Sequence, residues 1–179
     1  MKACRMAVKT TPYEVEIDIS DMERNYYRTH RFTLLRGPNE TEEKLMVRVL
    51  AFACQAEDGL VFGEEASEPT VSKRDGSGGI ERWIDVGEVD DKRLLRACAA
   101  AREVVVYSAA SSAQGWWNQV GPKVNRDNLT VYHLRGVPTS GIGRLADRDM
   151  KLHCMIQDGQ IWLTGNEETV QLDVDRIAP

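Results

Sequence analysis

Alternation opens the chain. In Tyr13-Glu14-Val15-Glu16-Ile17-Asp18-Ile19 every second residue is apolar, the pattern of a strand with one buried face. A second strand is expected over His30 to Leu35, ending at the turn residues Arg36-Gly37-Pro38-Asn39. The two form a hairpin joined through Asp21 to Arg28. The period then changes. Asn39 and Thr41 are both candidate N-caps, Glu42 and Glu43 suit the positive end of a helix dipole, and Leu45, Met46, Val49, Leu50 and Ala53 form one apolar stripe. This predicts an amphipathic helix running to about Ala56.

Strands follow at Leu60-Val61-Phe62, at Thr70 to Arg74 and, after a glycine-rich turn, at Ile80 to Val86. Asp90-Asp91 opens a helix to about Ala101, and Val104-Val105-Val106-Tyr107 is the continuous apolar run of a strand covered on both faces. Strand, helix, strand in that order implies a parallel pair with a right-handed crossover. A helix near Ser112 to Gln119 and a strand at Leu129 to Leu134 repeat the unit. Beyond the Gly/Pro/Ser-rich stretch Gly136 to Gly143, Lys151 to Gln157 and Gln160 to Thr164 form a hairpin turning at Asp158-Gly159. The fold class is therefore α/β: a single domain with a mixed β-sheet flanked by helices. It comprises an N-terminal hairpin (13–35), a core (39–134) and a C-terminal hairpin and tail (144–179).

Composition narrows the function classes. Of 179 residues, 42% are hydrophobic and 28% charged, which suits a soluble globular chain and excludes a disordered or collagen-like one. No apolar run approaches the roughly 20 residues that span a bilayer, so no membrane partner is expected. Met1 to Thr11 lacks the apolar stretch of a secretory signal, and a cytoplasmic location is expected. The net charge of −5 argues against broad coating of nucleic acid but leaves room for a local basic groove. Cys4, Cys54, Cys98 and Cys154 lie far apart with no paired spacing, so zinc is not expected. Gly76, Gly78 and Gly79 lack the lysine-serine ending of a phosphate loop and sit between strands, so they read as a turn. No organic cofactor is expected.

The candidate chemistry lies in acids. Glu42 is placed at the end of the helix's buried stripe and Glu43 on its flank; either is a dipole-favoured first-turn acid or a carboxylate held at the rim of the core. Glu81, Trp83 and Asp85 share one strand face. Asp85, in an otherwise apolar strand end, is either a turn-bonding residue or, with a second acid, an oxygen ligand for a hard divalent cation. Glu88 is read as a turn or capping acid. Lys73 and Arg74 lie on the preceding strand, as a surface salt bridge or as a cation orienting a phosphate. Arg24, Arg28, His30, Arg31 and Arg36, with Tyr26 and Tyr27, form the one basic-aromatic stretch, either a solvated hairpin or a nucleic-acid contact. Trp116-Trp117 is expected to be core plus one exposed ring, which could meet a partner. The histidines His30, His133 and His153 follow no nucleophile elbow and read as strand residues.

Three stretches together resemble a family of short bacterial proteins called YaeQ: Ser20 to Tyr27, Asn39 to Ala53, and Trp83-Ile84-Asp85-Val86-Gly87. The likeness extends from about Met6 onward, and the leader before Met6 reads as a start-site matter. The resemblance implies a variant of the restriction-endonuclease-like PD-(D/E)XK fold, whose core order of helix, three strands, helix and strand matches the order from residue 42. It implies a site holding Mg²⁺ or Mn²⁺ through Asp85 and Glu42 or Glu43, with Glu68 or Glu81 in support and Lys73 as a displaced lysine aiding the attacking water. The pattern departs in two places: Gly87 stands where that lysine would be, and Thr70 where a second metal-binding aspartate would be. The leading expectation is a metal-dependent phosphodiesterase acting on nucleic acid. The alternative, from a different class, is a non-catalytic module binding nucleic acid or protein, linked through the family to transcription.

Overall fold

The structure, a computed structural model, describes residues 9–179. Cys4 and the leader before Met6 lie outside the described residues. Strands β1 (Thr11–Asp21) and β2 (Tyr26–Arg36) form the expected hairpin, with a tighter turn than the pattern predicts. Helix α1 (Glu42–Cys54) follows, then β3 (Leu60–Phe62), β4 (Val71–Arg74), β5 (Ile80–Val86), α2 (Asp91–Ala100), β6 (Ala101–Ser108), α3 (Ala113–Val124) and β7 (Leu129–Arg135). A short helix α4 (Val137–Ser140) and a 3₁₀ turn (Ile142–Leu145) lead to β8 (Asp149–Gln157), β9 (Gln160–Gly165) and β10 (Glu168–Ala178).

All ten strands join one mixed sheet in the order β2-β1-β8-β9-β10-β7-β6-β5-β4-β3. The two βαβ units are parallel as the sequence predicts, β5 beside β6 and β6 beside β7. The remaining contacts are antiparallel except one: β1 lies parallel to β8, in a register that starts at Glu14 opposite Asp149. The tail beyond residue 164 is not an appendage. Val170, Leu172 and Val174 alternate with polar residues along β10, which pairs with both β9 and β7 and so joins the two halves of the sheet.

The sheet curls around α1. A helix with one apolar stripe packs on one surface, but a helix that is apolar on most sides must be enclosed. Here Val47, Ala51 and Phe52 are buried alongside the stripe of Leu45, Met46, Val49, Leu50 and Ala53. They pack against inward residues of β1, β8, β9 and β10 as well as Val71, Ile84 and Tyr107 from the other half. Each large side chain so enclosed contributes roughly 1.5–3 kcal/mol. The two edges of the sheet, β2 and β3, meet through Phe32 and Phe62, whose ring centroids are 4.9 Å apart, each also touching Phe52 of α1.

A second core lies outside the curl, where α2 and α3 cover β5, β6 and β7. Val104 and Val106 face this outer core while Val105 and Tyr107 face α1, which explains the unbroken apolar run of β6. α3 runs past Gln119, where the pattern ends it, carrying Pro122 in its last turn before Asn125 closes it in the left-handed conformation. Trp116 and Trp117 are both half-buried on the outer core, and Trp116 Nε1 donates to the Val89 carbonyl at 2.9 Å. The exposed ring expected there is absent. Among the described residues no helix is long and apolar enough to cross a membrane.

Candidate functional site

Asp85, Glu88 and Glu43 lie near the ends of β5 and β6, the carboxyl edge at which α/β sheets present their ligand sites. Asp85 is the penultimate residue of β5, and the register that pairs Val71 with Ile84 sets Thr70 beside it. Its side chain points to the outer face, toward α2. That helix is capped by Asp90, whose carboxylate accepts the Arg93 backbone N–H at 2.8 Å. The cap holds Arg93 in the first turn, facing back to the strand.

The result is a buried fork. Asp85, 1% exposed, accepts Arg93 Nε on Oδ2 at 2.7 Å and Arg93 Nη2 on Oδ1 at 2.9 Å. Oδ1 also accepts the Thr70 backbone N–H at 3.2 Å and its hydroxyl at 3.4 Å. The guanidinium spends its other donors on main-chain carbonyls, Ala66 at 2.5 Å and Glu68 at 2.7 Å, and its carbon lies 5.7 Å from the Trp83 ring centre. The hydrogen bonds that Arg93 donates to Asp85 raise the guanidinium's pKa above its ordinary value.

Beside this pair opens a cleft of about 450 Å³ between the first turns of α1, the end of β5 and the segment after β6. Its walls are apolar: Val47, Val86, Ala109, Ala110 and Pro138. Glu43, Lys44 and Glu88 supply the polar groups, and Ser112 Oγ donates to a carboxylate oxygen of Glu88. At the rim Arg48 and Glu40 are already paired, Nε to Oε1 and Nη2 to Oε2, both at 2.7 Å. Arg36 faces Glu42 at 3.9 Å, which leaves Glu43 without a cation partner among the described residues. Gly87, at φ +100°, turns the chain out of β5, a conformation that a side chain disfavours. A lysine at that position would be strained, so the departure at Gly87 is a backbone requirement.

The acids expected to share a metal do not come together. Glu42 is half-exposed at the helix entrance, beside Arg36 and not aimed at the core. Glu43 faces the cleft, on the α1 side of the sheet, while Asp85 faces α2. Glu68 is exposed and binds its own loop, accepting from the Glu64 and Glu65 N–H groups at 2.8 and 3.2 Å, which lowers its pKa below the ordinary carboxylate value. Lys73 donates to Glu57 at 2.8 Å and lies 3.6 Å from Glu81, and the Glu57 bond raises the lysine's pKa. That cluster, completed by Arg82 and Glu103, sits at the start of β5. Four strand steps, about 13 Å, separate Glu81 from Asp85. Among the described residues no group of three His, Cys, Asp or Glu side chains could hold a metal ion. The donor set does not fit Mg²⁺ or Mn²⁺, because both oxygens of Asp85 are taken by Arg93 and Thr70 and no second acid reaches them.

The basic-aromatic hairpin is likewise spoken for. Arg24 binds Asp21 at 2.6 Å and the Ala56 carbonyl at 2.8 Å, closing the C-terminal end of α1. Arg28 Nη1 donates to both Asp58 oxygens, Arg31 Nε donates to Glu16, and Arg36 donates to the Glu40 carbonyl and the Tyr13 hydroxyl. His30 Nε2 and the Tyr26 hydroxyl are 2.7 Å apart. The stretch therefore builds the sheet edge, and the open groove of unpaired cations it could have formed is not there.

Arg93 was missed by pattern reading, though a signal existed. A helix N-terminus disfavours a cation, so an arginine in the first turn of α2 asks for a carboxylate partner nearby. Asp85, the anomalous acid of β5, is that partner.

A family model described as "YaeQ protein" matches residues 6–174. The YaeQ protein of Escherichia coli (strain K12) is 35% identical over 174 residues, covering 94% of this chain and 96% of its own length. The Salmonella typhi protein of the same name is 34% identical over the same span. The crystal structure of the YaeQ protein from Xanthomonas axonopodis pv. citri aligns at TM-score 0.86 and 38% identity, covering 96% of this chain and all of that one. That from Pseudomonas syringae aligns at TM-score 0.87 and 25% identity, covering 95% and 97%.

Proposed function

The chain belongs to the YaeQ family, and from the geometry of its cleft we propose that it is a non-catalytic binding protein that takes a basic segment of a partner protein. The observation that carries this reading is the presence in one cleft of two carboxylates, Glu43 and Glu88, that have no salt-bridge partner among the described residues, with an apolar floor of Val47, Val86, Ala109 and Pro138. A lysine or arginine side chain has that form, an aliphatic stem under a charged head. Lys44, at the same opening, offers a counter-charge to an acid beside the basic residue.

Two rival occupants are less well supported. A phosphate backbone would meet Glu43 and Glu88, and like charges across an interface cost affinity. Metal-dependent phosphodiester cleavage, the activity implied by the nuclease-like resemblance, needs a divalent cation on Asp85, whose oxygens Arg93 and Thr70 occupy. The shared element order supports a kinship with that fold and lends no support to its chemistry.

The test is fluorescence anisotropy with a fluorescein-labelled peptide of alternating arginine and alanine. The expected result is binding that Glu43→Gln with Glu88→Gln weakens about tenfold, equivalent to ~1.4 kcal/mol. A charge-matched control, Asp158→Asn with Glu167→Gln in exposed turns, is expected to leave it unchanged. Equal weakening by the control, direct binding of labelled single-stranded DNA that Glu43→Gln with Glu88→Gln strengthens, or Mg²⁺-dependent cleavage of DNA or RNA that Asp85→Asn abolishes would each overturn the proposal.

A further inference from the structure

A second cavity, of about 190 Å³, lies under the last turn of α1, at the opposite end of the helix from the cleft of Glu43 and Glu88. Cys54, Gln55, Tyr107 and Tyr132 line it, and the β1–β2 and β8–β9 turns close it where the Gly159 N–H donates to Glu23. Tyr107 is 2% exposed, and burial raises its pKa well above the ordinary value, so its hydroxyl stays protonated. Gln55 Nε2 donates to that hydroxyl oxygen at 2.6 Å. Two bonding directions remain on the pair. Among the described residues the phenol's own proton meets only the Cys54 sulfur, a weak acceptor. The Gln55 carbonyl accepts from no described residue. A donor and an acceptor thus stand side by side, fixed by the hydrogen bond between them.

We propose that this cavity binds a small neutral ring with a lactam edge, the chemistry of a free pyrimidine base. The ring's carbonyl accepts the Tyr107 O–H, and its N–H donates to Gln55 Oε1. Size, shape and charge agree. An apolar cavity of about 150 Å³ takes up benzene, so this one has room for a six-membered ring and its oxygens. Tyr107 and Tyr132 stack with centroids 5.2 Å apart and planes 15° apart, and Tyr132 gives the cavity an aromatic wall for a flat ligand. At the mouth Asp21 and Glu23 disfavour an anion. Arg24 offers no compensation, because it is committed to Asp21 and to the Ala56 and Ala53 carbonyls. A cation gains as little, since Asp21 is paired with Arg24 and Glu23 holds Gly159. The cavity shares no residue with the cleft, and the proposal is independent of what binds there.

The experiment titrates the ¹⁵N-labelled chain with uracil and follows amide chemical shifts. Saturable shifts are expected at Gln55 and Gly159 and none at Glu43 or Glu88. Tyr107→Phe removes only the hydroxyl and is expected to weaken binding about tenfold, as is Gln55→Met. 1,3-Difluorobenzene, a ring of similar shape without the donor–acceptor edge, is expected to bind at least about tenfold more weakly than uracil. Uridine, whose ribose the cavity does not hold, is expected to bind more weakly by a similar factor. The absence of saturable shifts with millimolar uracil would overturn the proposal. So would equal binding of 1,3-difluorobenzene, the behaviour of a merely apolar hole, or of uridine, which would exclude an enclosed site for a free base. If Tyr107→Phe does not fold, Gln55→Met, at a half-buried position just past the helix, carries the same test. Unchanged uracil affinity in either folded variant would refute the assigned contacts.

Discussion

Phe32 and Phe62 sit on the two outermost strands of a ten-stranded sheet, yet their rings are in contact. No backbone ladder joins β2 to β3, so side chains close the curl, with Phe52 of α1 beneath both rings. The Arg28–Asp58 ion pair beside them is exposed and contributes at most about 1 kcal/mol. Phe62→Ala, at a half-buried position, is expected to cost about 2 kcal/mol, below the range for fully buried phenylalanine. Val61→Ala, on the solvent side of the same strand, is expected to change stability by less than ~0.5 kcal/mol. Urea midpoints for the two variants measure the contrast; equal losses would mean that the seam is not held by its rings.

Asp85→Asn tests the fork as a structural element. It keeps the shape of the side chain but leaves the Arg93 charge without its partner in a buried place. The expected loss is about 3 kcal/mol, identical with and without Mg²⁺. Chemical denaturation in each condition checks it, and a loss that appears only with Mg²⁺ would contradict the role assigned to Arg93.

His30 makes stability depend on pH. It packs edge-on against Phe52 with centroids 5.2 Å apart, and burial lowers its pKa below the ordinary 6.5 despite Asp58 nearby, with Arg28 adding to the depression. Neutral His30 is therefore favoured in the folded state, while the unfolded chain takes up the proton more readily. The contribution is complete above pH 6.5 and is lost as pH falls through the window beneath it. Wild type and His30→Gln, melted between neutral pH and mild acid, are expected to converge as the pH drops. Parallel curves would refute the assignment.

Cys54 is expected to be a poor nucleophile. Burial at the end of α1 pushes its thiol up to about 12, and Cys154 is raised by burial as well. In a background with Cys4→Ser and Cys98→Ala, a disulfide reagent at pH 8 is expected to modify the native protein no faster than it unfolds. Rapid labelling of Cys54 without denaturant would show a more open end to the helix.

Local periodicity reads most of the elements and little of the closure. Thr41 as a cap, the stripe from Leu45 to Ala53 and the double-sided run Val104 to Tyr107 were legible because each expresses its surroundings in nearby residues. The enclosure of α1 was not, since Val47, Ala51 and Phe52 lie off the stripe and gain their meaning only from strands distant in the chain. β10 was hidden because its alternation carries acids and glutamine on the outer face, which resemble a solvated tail. At the site, the oddity of Asp85 was visible but its partner was not. A carboxylate in an apolar strand announces that something binds it, without saying whether that something is a metal or an arginine eight residues on.

The parallel pairing of β1 with β8 fixes the order in which the molecule can be finished during synthesis. The N-terminal hairpin and α1 leave the ribosome early, but the strand that seats that hairpin is made only after residue 149. Until then Leu45, Met46 and Phe52 have half of their enclosure, and a chain stopped short of β8 presents an uncovered helix to whatever surrounds it.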